Sequence, residues 1–158
     1  MGMDQQMSLR DRLQTALKEA MKAKAAARLS TLRLITAAIK DREIANRSEA
    51  GVVEVTDADI LALMSKMVKQ RQESARAYAE GGRLELAEKE TAEIAVIEEF
   101  LPRQLSDDEV DAAVVAAIAA SGANSIRDMG RVMAVLKGKY TGQMDFGSVG
   151  PAVKARLG

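Results

Sequence analysis

The 158-residue chain contains no cysteine, no histidine and no tryptophan. The lack of cysteine excludes disulfides, thiolate nucleophiles and cysteine-based zinc sites. The lack of histidine excludes a Ser-His-Asp triad, imidazole acid–base chemistry and histidine-ligated metals. The spaced-glycine motifs that bind nucleotide phosphates are missing as well. Any catalysis would fall to Asp, Glu, Lys, Tyr or Arg, and we predict no catalytic residue, no metal site and no bound cofactor.

Aromatic residues and prolines are also scarce. The four aromatic residues are Tyr78, Phe100, Tyr140 and Phe146, and the two prolines are Pro102 and Pro151. Hydrophobic residues nevertheless make up 47% of the chain, so a core of Ala, Leu, Ile, Val and Met is available. Small and aliphatic side chains favour helix-on-helix packing. The composition therefore predicts an all-α protein.

Long apolar segments are missing too. No apolar run reaches the ~20 residues that span a bilayer, and the first residues lack the apolar core of a secretory signal. From these absences we expect no membrane association and a cytoplasmic location.

The charges are balanced overall but unevenly distributed. The chain has 23 basic and 23 acidic residues. Residues 1–50 hold 10 basic and 6 acidic residues (+4), residues 51–101 hold 6 and 11 (−5), and residues 112–158 hold 6 and 2 (+4). Two basic ends thus flank an acidic middle, a distribution that permits polyanion binding at an end.

The first two thirds of the chain predict four helices. Ser8 with Asp11 caps a helix over residues 9–24, and a second helix covers residues 27–47 with an apolar stripe at helical spacing. Residues 48–55 form a polar loop. Thr56 with Asp59 caps a third helix over residues 57–80, which ends at paired glycines. The fourth helix covers residues 83–100, where Leu84, Leu86, Ile94 and Ile97 supply the apolar contacts.

Pro102 stops the fourth helix and marks a domain boundary, because the residue before a proline avoids helical geometry. We predict an N-terminal helical domain over residues 1–101 with about four helices. A small tail domain over residues 102–158 has three.

Each tail helix has its own start signal in the sequence. Ser106 and Glu109 form a capping box for a helix over residues 107–120. Ser125 with Asp128 caps a helix over residues 126–139. The last helix covers residues 148–157, with Pro151 in its first turn.

The tail carries the candidate site, a set of cations that we call the C-terminal cations. One interpretation is a surface for RNA phosphates, read by charge rather than by base identity. The other is an ordinary solvated helix face, which the sequence alone favours. The candidate nucleic-acid-binding residues are Arg127, Arg131, Lys137, Lys139 and Lys154.

Gly130 lies in the middle of this predicted helix, where glycine costs ~1 kcal/mol relative to alanine. Close approach of another helix would compensate this cost, and we favour that interpretation. Close approach of a nucleic-acid backbone is the alternative.

Two other charged groups look structural. Cations on the second and third helices have acidic neighbours at helical spacing, for example Glu43 with Arg47 and Arg76 with Glu80. The carboxylates between Glu85 and Glu99 lack the histidines of a helical di-metal site, so we expect them to be solvated or ion-paired.

Short motifs in a fixed order resemble the GatB/YqeY family. They include Ala20-Met-Lys-Ala-Lys24, Gly82-Arg-Leu-Glu-Leu-Ala87, Phe100-Leu-Pro-Arg-Gln-Leu-Ser106 and Asp128-Met-Gly-Arg-Val-Met133. The resemblance to the free-standing YqeY-like proteins covers nearly the whole chain. It implies an all-α protein with a larger N-terminal helical part and a small C-terminal domain.

The resemblance also implies a functional context. Similar domains form the helical and tail regions of the B subunit of the glutamine-dependent tRNA amidotransferase, whose tail helps to engage tRNA. The part of that enzyme that binds ATP and Mg²⁺ is a separate domain without a counterpart here. We therefore expect a non-catalytic, tRNA-associated accessory module. The alternatives are a carbon–nitrogen ligase with glutamine as amido-N-donor, or a subunit of one, and an adaptor that binds an aminoacyl-tRNA synthetase or amidotransferase.

Overall fold

Seven α-helices hold almost all the regular structure in the part of the chain described by the computed structural model, residues 7–48, 51–52 and 54–158. The all-helical class predicted from composition is thereby confirmed. The chain divides into two units, one ending at Phe100 and the other beginning at Leu101. Each unit is described in turn.

The first unit contains four helices and a small β-ladder. The ladder pairs β1 (Arg47–Ser48) with β2 (Gly51–Val52) in antiparallel register. The predicted loop over residues 48–55 is therefore partly a hairpin, and its residues 49, 50 and 53 lie outside the described residues. The helices are α1 (Leu9–Lys22), α2 (Ala26–Ala45), α3 (Asp57–Glu80) and α4 (Leu84–Glu98).

Two of these helices begin at the predicted caps. The Ser8 hydroxyl accepts a hydrogen bond from the Asp11 amide at 3.1 Å. Thr56 and Asp59 form a reciprocal capping box, in which each side chain accepts a bond from the other residue's amide. Each arrangement satisfies amides that lack an intrahelical partner, so α1 and α3 start where the sequence predicts.

The core of the first unit is aliphatic. The stripe on α2 is buried at Leu32, Ile35 and Ile39, and Ile97 of α4 is fully buried. The prediction that Leu84 and Leu86 supply apolar contacts is wrong, because these side chains remain 62% and 39% exposed. Both lie in the first turn of α4, at the tip of the α3–α4 hairpin and far along the helix from Ile97.

Two arginines hold the chain where it leaves α4. Arg28 makes a two-pronged ion pair with the Glu99 carboxylate, at N–O distances of 2.5 and 2.9 Å. Arg12 donates to the Glu99 carbonyl at 3.3 Å, and its guanidinium lies 5.4 Å from the centre of the Phe100 ring. The end of α4 is therefore fixed to both α1 and α2.

The second unit contains α5 (Asp107–Ser121), a 3-10 turn (Ile126–Asp128), α6 (Met129–Tyr140) and α7 (Phe146–Leu157). The Ser106–Glu109 capping box is present as predicted. The Leu105 amide donates to the Gln143 carbonyl at 2.9 Å and ties the segment before α5 to the turn after α6. The buried core of this unit consists of Ala113, Val114, Ala117, Val132, Leu136, Met144, Val149 and Val153.

In this unit one predicted cap bond and one predicted first residue of a helix are wrong. The Ser125 side chain makes no cap bond; the first turn is a 3-10 turn, and the Asp128 carboxylate accepts from the Asn124 amide instead. The last helix begins at Phe146 because Asp145 accepts from the Gly147 amide and the Ser148 hydroxyl. Pro151 is thus the sixth residue of α7, in its second turn rather than its first.

No single helix among the described residues has the length and apolar content needed to cross a bilayer. One bent pair, Asp107–Ser121 with Ile126–Tyr140, meets those two criteria together, with an angle of 96° between its members.

Candidate nucleic-acid-binding surface

The outer face of α6 and of the 3-10 turn before it carries three of the C-terminal cations. Val132 and Leu136 turn inward and are fully buried, which fixes the opposite face of the helix in solvent. Arg127 of the 3-10 turn and Arg131 of α6 are four residues apart on that side, Lys137 lies toward the flank of α6, and all three side chains are exposed. The local pattern therefore brings these three side chains onto one surface.

The remaining two C-terminal cations lie elsewhere in the unit. Lys139 is exposed on the flank of α6, with its ammonium 5.5 Å from the centre of the Tyr140 ring. Lys154 is exposed on α7, as is Arg156 two residues further on. All five predicted site residues are thus accessible, on the 3-10 turn and on two helices that share one core.

Few of these charges are neutralised within the unit. Arg131 makes an ion pair with Asp128 at 2.5 Å, while 62% of its side chain remains exposed. The side chains of Arg127, Lys137 and Lys154 have no acidic partner among the described residues. Their positive charge is therefore available to an external anion.

The two carboxylates of residues 112–158 already have partners. Asp145 caps α7. The Asn124 amide, together with the Arg131 guanidinium, holds the pKa of Asp128 below its ordinary value. Both carboxylates are therefore already bonded and do not offset Arg127 or Lys137.

The other acidic residues of this unit lie in the first half of α5, with Asp107, Asp108 and Glu109 in its first turn and Asp111 just after it. The partial positive charge of a helix N-terminus favours them there. Arg103 makes a two-pronged bond to Glu109 at 2.9 and 2.8 Å and, with the Ser106 amide, lowers the pKa of Glu109 to about 2. The unit is therefore polarised, with acid at the start of α5 and base on α6 and α7.

Gly130 has no neighbour that explains it. A Cβ atom at this position would meet no described atom within 4 Å, and the same holds for Gly138 two turns later. The favoured interpretation, close approach of another helix, is therefore wrong. The sequence analysis missed Gly138, although a second glycine inside a 12-residue helix is the same signal.

Three cations of the first unit, Arg10, Arg28 and Arg71, make ion pairs among the described residues. Arg71 bonds Glu93 at 3.0 Å with both side chains 16% exposed, which links α3 to α4. Glu43 pairs with Arg10 at 3.4 Å rather than with the predicted Arg47. The structure shows no ion pair between Arg76 and Glu80 in the described residues.

The carboxylates of α4 fit the same structural interpretation. Glu93 and Glu99 are ion-paired, and the others on this helix are mostly exposed to solvent. In the described part of the chain, no three carboxylates converge closely enough to hold a metal ion.

Two helical units, the second with exposed and largely unpaired cations, define a small all-helical protein with a basic C-terminal end. The sequence profile of the family described as Yqey-like protein matches residues 10–157. The chain therefore belongs to the YqeY-like protein family, as the motif resemblance predicted.

Curated relatives of this chain come from fungi. An uncharacterised protein of Schizosaccharomyces pombe is 34% identical over 91 residues, which cover 58% of this chain and 70% of the relative. The protein of Pyrenophora tritici-repentis named "Altered inheritance of mitochondria protein 41, mitochondrial" is 33% identical over 134 residues, 81% of this chain and 71% of the relative. The protein of the same name from Kluyveromyces lactis is 33% identical over 106 residues, 65% of this chain and 55% of the relative.

These names contradict one prediction. The sequence analysis placed the protein in the cytoplasm, whereas the relatives from Pyrenophora tritici-repentis and Kluyveromyces lactis are named as mitochondrial proteins. The prediction of a cytoplasmic location is therefore wrong. It rested only on missing signals, and the composition of a folded domain does not record the compartment in which it works.

Proposed function

We propose that this protein is a non-catalytic, tRNA-associated accessory module whose C-terminal cations contact the tRNA backbone. The observation that carries the proposal is the unneutralised charge on the 3-10 turn, α6 and α7. Arg127, Lys137 and Lys154 are exposed and lack acidic partners among the described residues, while both nearby carboxylates are already bonded.

We further propose a four-helix N-terminal domain over residues 1–101 and a three-helix tail domain over residues 102–158. Support comes from the division of the chain at Phe100 and Leu101, and from the separate buried cluster of the second unit. In this arrangement the tail domain supplies the contact with nucleic acid.

The chemistry of the surface favours phosphates over bases. Exposed Arg and Lys side chains replace the cations that surround RNA phosphates, and the release of those cations drives binding. Stacking on unpaired bases requires exposed aromatic rings. In this unit Tyr140 and Phe146 are partly buried against the core. Recognition by shape and charge is therefore the mode we propose.

Gly130 and Gly138 add a second argument. Both leave the outer face of α6 without side-chain bulk beside Arg131 and Lys137. Because these two positions carry no side chain, a phosphate backbone can approach the neighbouring cations closely. We propose that this approach compensates the helix-destabilising cost of the two glycines.

The test is a gel-shift titration of tRNA at several salt concentrations. We expect the log–log salt slope to fall by about 1 for each contacting cation removed, in Arg127→Gln and in Lys137→Gln. Arg103→Gln is the matched control, because this exposed cation of the same unit is already paired with Glu109. Absence of tRNA binding at low salt, or equal slopes in all variants, would refute the proposal.

The alternatives predict different results. A carbon–nitrogen ligase would form amidated product from glutamine, ATP and Glu-tRNA-Gln, and any turnover above background contradicts a non-catalytic role. An adaptor would retain a synthetase or amidotransferase on the immobilised protein after nuclease treatment, and the Arg127→Gln and Lys137→Gln variants would retain it equally well.

A further inference from the structure

The first unit contains a groove that the proposed tRNA contact does not use. It has a volume of about 580 Å³ and lies between α1 and α2. These helices are joined by only three residues, and the ion pair between Arg10 of α1 and Glu43 of α2 shows that they run antiparallel. The groove therefore follows the seam of a helical hairpin.

The floor of the groove is apolar. Leu13 of α1 and Ile39 of α2 line it and are 1% and 4% exposed, so they belong to the core of the unit and are held in place. Ala37 also lines it and is exposed, and its small side chain leaves the space above α2 open. An aliphatic or aromatic group can lie on this floor and lose contact with water.

The rim of the groove is cationic. Arg10, Arg33 and Lys40 line it together with one carboxylate, Glu43, so the lining carries a formal charge of +2. Glu43 is paired with Arg10, whereas Arg33 and Lys40 have no acidic partner among the described residues. The unneutralised positive charge therefore belongs to the α2 side of the groove.

Arg33 and Lys40 can serve one negative group together. They are seven residues apart, which places them on the same side of α2 and about 10 Å apart along its axis. Their long side chains span this distance toward a head group above Ala37. Gln14 of α1 lines the same groove and offers a side-chain amide as an additional donor.

We propose that this groove binds a small amphiphilic anion, with its carboxylate or phosphate head between Arg33 and Lys40 and its apolar body over Leu13 and Ile39. The volume lies in the range of about 300–1,000 Å³ that small-molecule sites occupy. A stable protein–protein interface needs roughly 800 Å² of surface from each partner. The size of the groove thus favours a small molecule over a helical peptide.

The experiment uses the full-length protein and three probes with the same apolar chain, titrated below micelle formation. The probes are decanoate, decyl phosphate and decyltrimethylammonium, and binding is followed by amide chemical shifts and by calorimetry. We expect decanoate or decyl phosphate to shift residues of α1 and α2 that line the groove, and decyltrimethylammonium to bind at least tenfold more weakly. The comparison of the two anions identifies the preferred head group.

Two kinds of variant test the geometry. Arg33→Gln with Lys40→Gln should raise the Kd of the anionic probe about tenfold or more, because charge-assisted bonds are lost. Lys66→Gln with Arg76→Gln, exposed cations of α3 outside the groove, is the matched control and should leave the Kd unchanged. Ala37→Phe should fill the groove and abolish binding while the helical circular dichroism stays that of the wild type.

Each of three results would overturn the proposal. The first is equal binding of the cationic and anionic probes, which would indicate unspecific apolar contact. The second is wild-type affinity in the Arg33→Gln, Lys40→Gln variant or in Ala37→Phe. The third is the absence of chemical-shift changes at the groove for both anions, which would show that it takes no such ligand. None of these results bears on tRNA binding by the tail, which is measured separately.

Discussion

Glu109 performs two tasks at the start of α5. Its carboxylate accepts from the Ser106 amide at 3.0 Å as part of the capping box, and it accepts both prongs of Arg103. The capping box was predictable because it depends on residues three positions apart. The ion pair with Arg103 was not predictable, because the sequence does not show which of several nearby carboxylates a surface arginine binds.

We expect Glu109→Gln to flatten the acid dependence of stability. The folded pKa of Glu109 is lowered to about 2, mainly by Arg103, so the folded state binds protons less readily than the unfolded chain, whose pKa is near 4.5. This contribution is therefore present above pH 4.5 and is lost as the pH falls toward 2.

The measurement is the thermal midpoint between pH 6 and pH 2. The wild type should lose more stability than Glu109→Gln over that range. Asp111→Asn, which removes an exposed carboxylate of the same helix, should follow the wild type. Parallel curves for the wild type and Glu109→Gln would show that the bond to Arg103 does not persist in solution.

The Arg71–Glu93 pair gives a second prediction for single side chains. It is the least exposed ion pair among the described residues, at 16% for each side chain, and Arg71 also donates to the Met67 carbonyl. Glu93→Gln should lower the free energy of unfolding by about 1–2 kcal/mol, because the guanidinium keeps only a neutral partner.

A double-mutant cycle with Arg71→Gln isolates the pair. We expect a coupling energy of about 0.5–2 kcal/mol from chemical denaturation of the four proteins. A coupling energy indistinguishable from zero would mean that the two side chains are solvated independently.

The helix starts show which structural features the local sequence can predict. Ser8, Thr56 and Ser106 cap helices as predicted, because each cap bond joins residues three apart and needs no distant partner. The cap of α6 and the first residue of α7 were not predictable in this way. Asp145 caps α7, whereas α6 follows a 3-10 turn in which neither Ser125 nor Asp128 makes a side-chain cap bond.

The exposed glycines of α6 lead to a prediction for this helix. Gly130→Ala should raise the free energy of unfolding by about 0.5–1 kcal/mol, since alanine has the higher helix propensity and its Cβ meets no neighbour. Gly122→Ala is the matched control. It should lower stability by about 1 kcal/mol, because Gly122 ends α5 with φ +69°, which disfavours a side chain.

Both changes can be read from urea denaturation, and the same proteins can be tested with tRNA. A stabilised Gly130→Ala with weakened tRNA binding is the combination expected if a phosphate backbone approaches this face. A destabilised Gly130→Ala would mean that α6 has a neighbour in solution at this position.

At the level of the whole chain, the division at Phe100 and Leu101 predicts two folding transitions. The first unit is the larger and contains α1 to α4, while the second rests on a cluster of eight buried residues. Calorimetry of the full-length protein should show two overlapping peaks, with the one that belongs to residues 101–158 at the lower temperature, because smaller units bury less surface. A single peak with equal calorimetric and van't Hoff enthalpies would show that the chain folds as one cooperative body.

The candidate nucleic-acid-binding surface was only partly predictable from the sequence. Helical spacing predicts that Arg127 and Arg131 lie opposite the apolar side of this segment, with Lys137 on a flank, and Val132 and Leu136 are buried on that apolar side. The groove of the first unit was invisible, because it needs the pairing of α1 with α2 to bring Arg10 opposite Glu43. The exposed face of a helix can be predicted from the sequence of that helix alone, whereas a groove can be predicted only when the packing of two helices is known.

The double hold on Glu99 and Phe100 has a mechanical consequence. A pulling force that entered through the tail would arrive at the point where Arg28 grips the carboxylate and Arg12 covers the ring. The bonds of Arg12 and Arg28 would transmit this force to α1 and α2, so that α4 would not unfold one turn at a time. Under tension, the four helices of the first unit should therefore give way together, in one abrupt rupture.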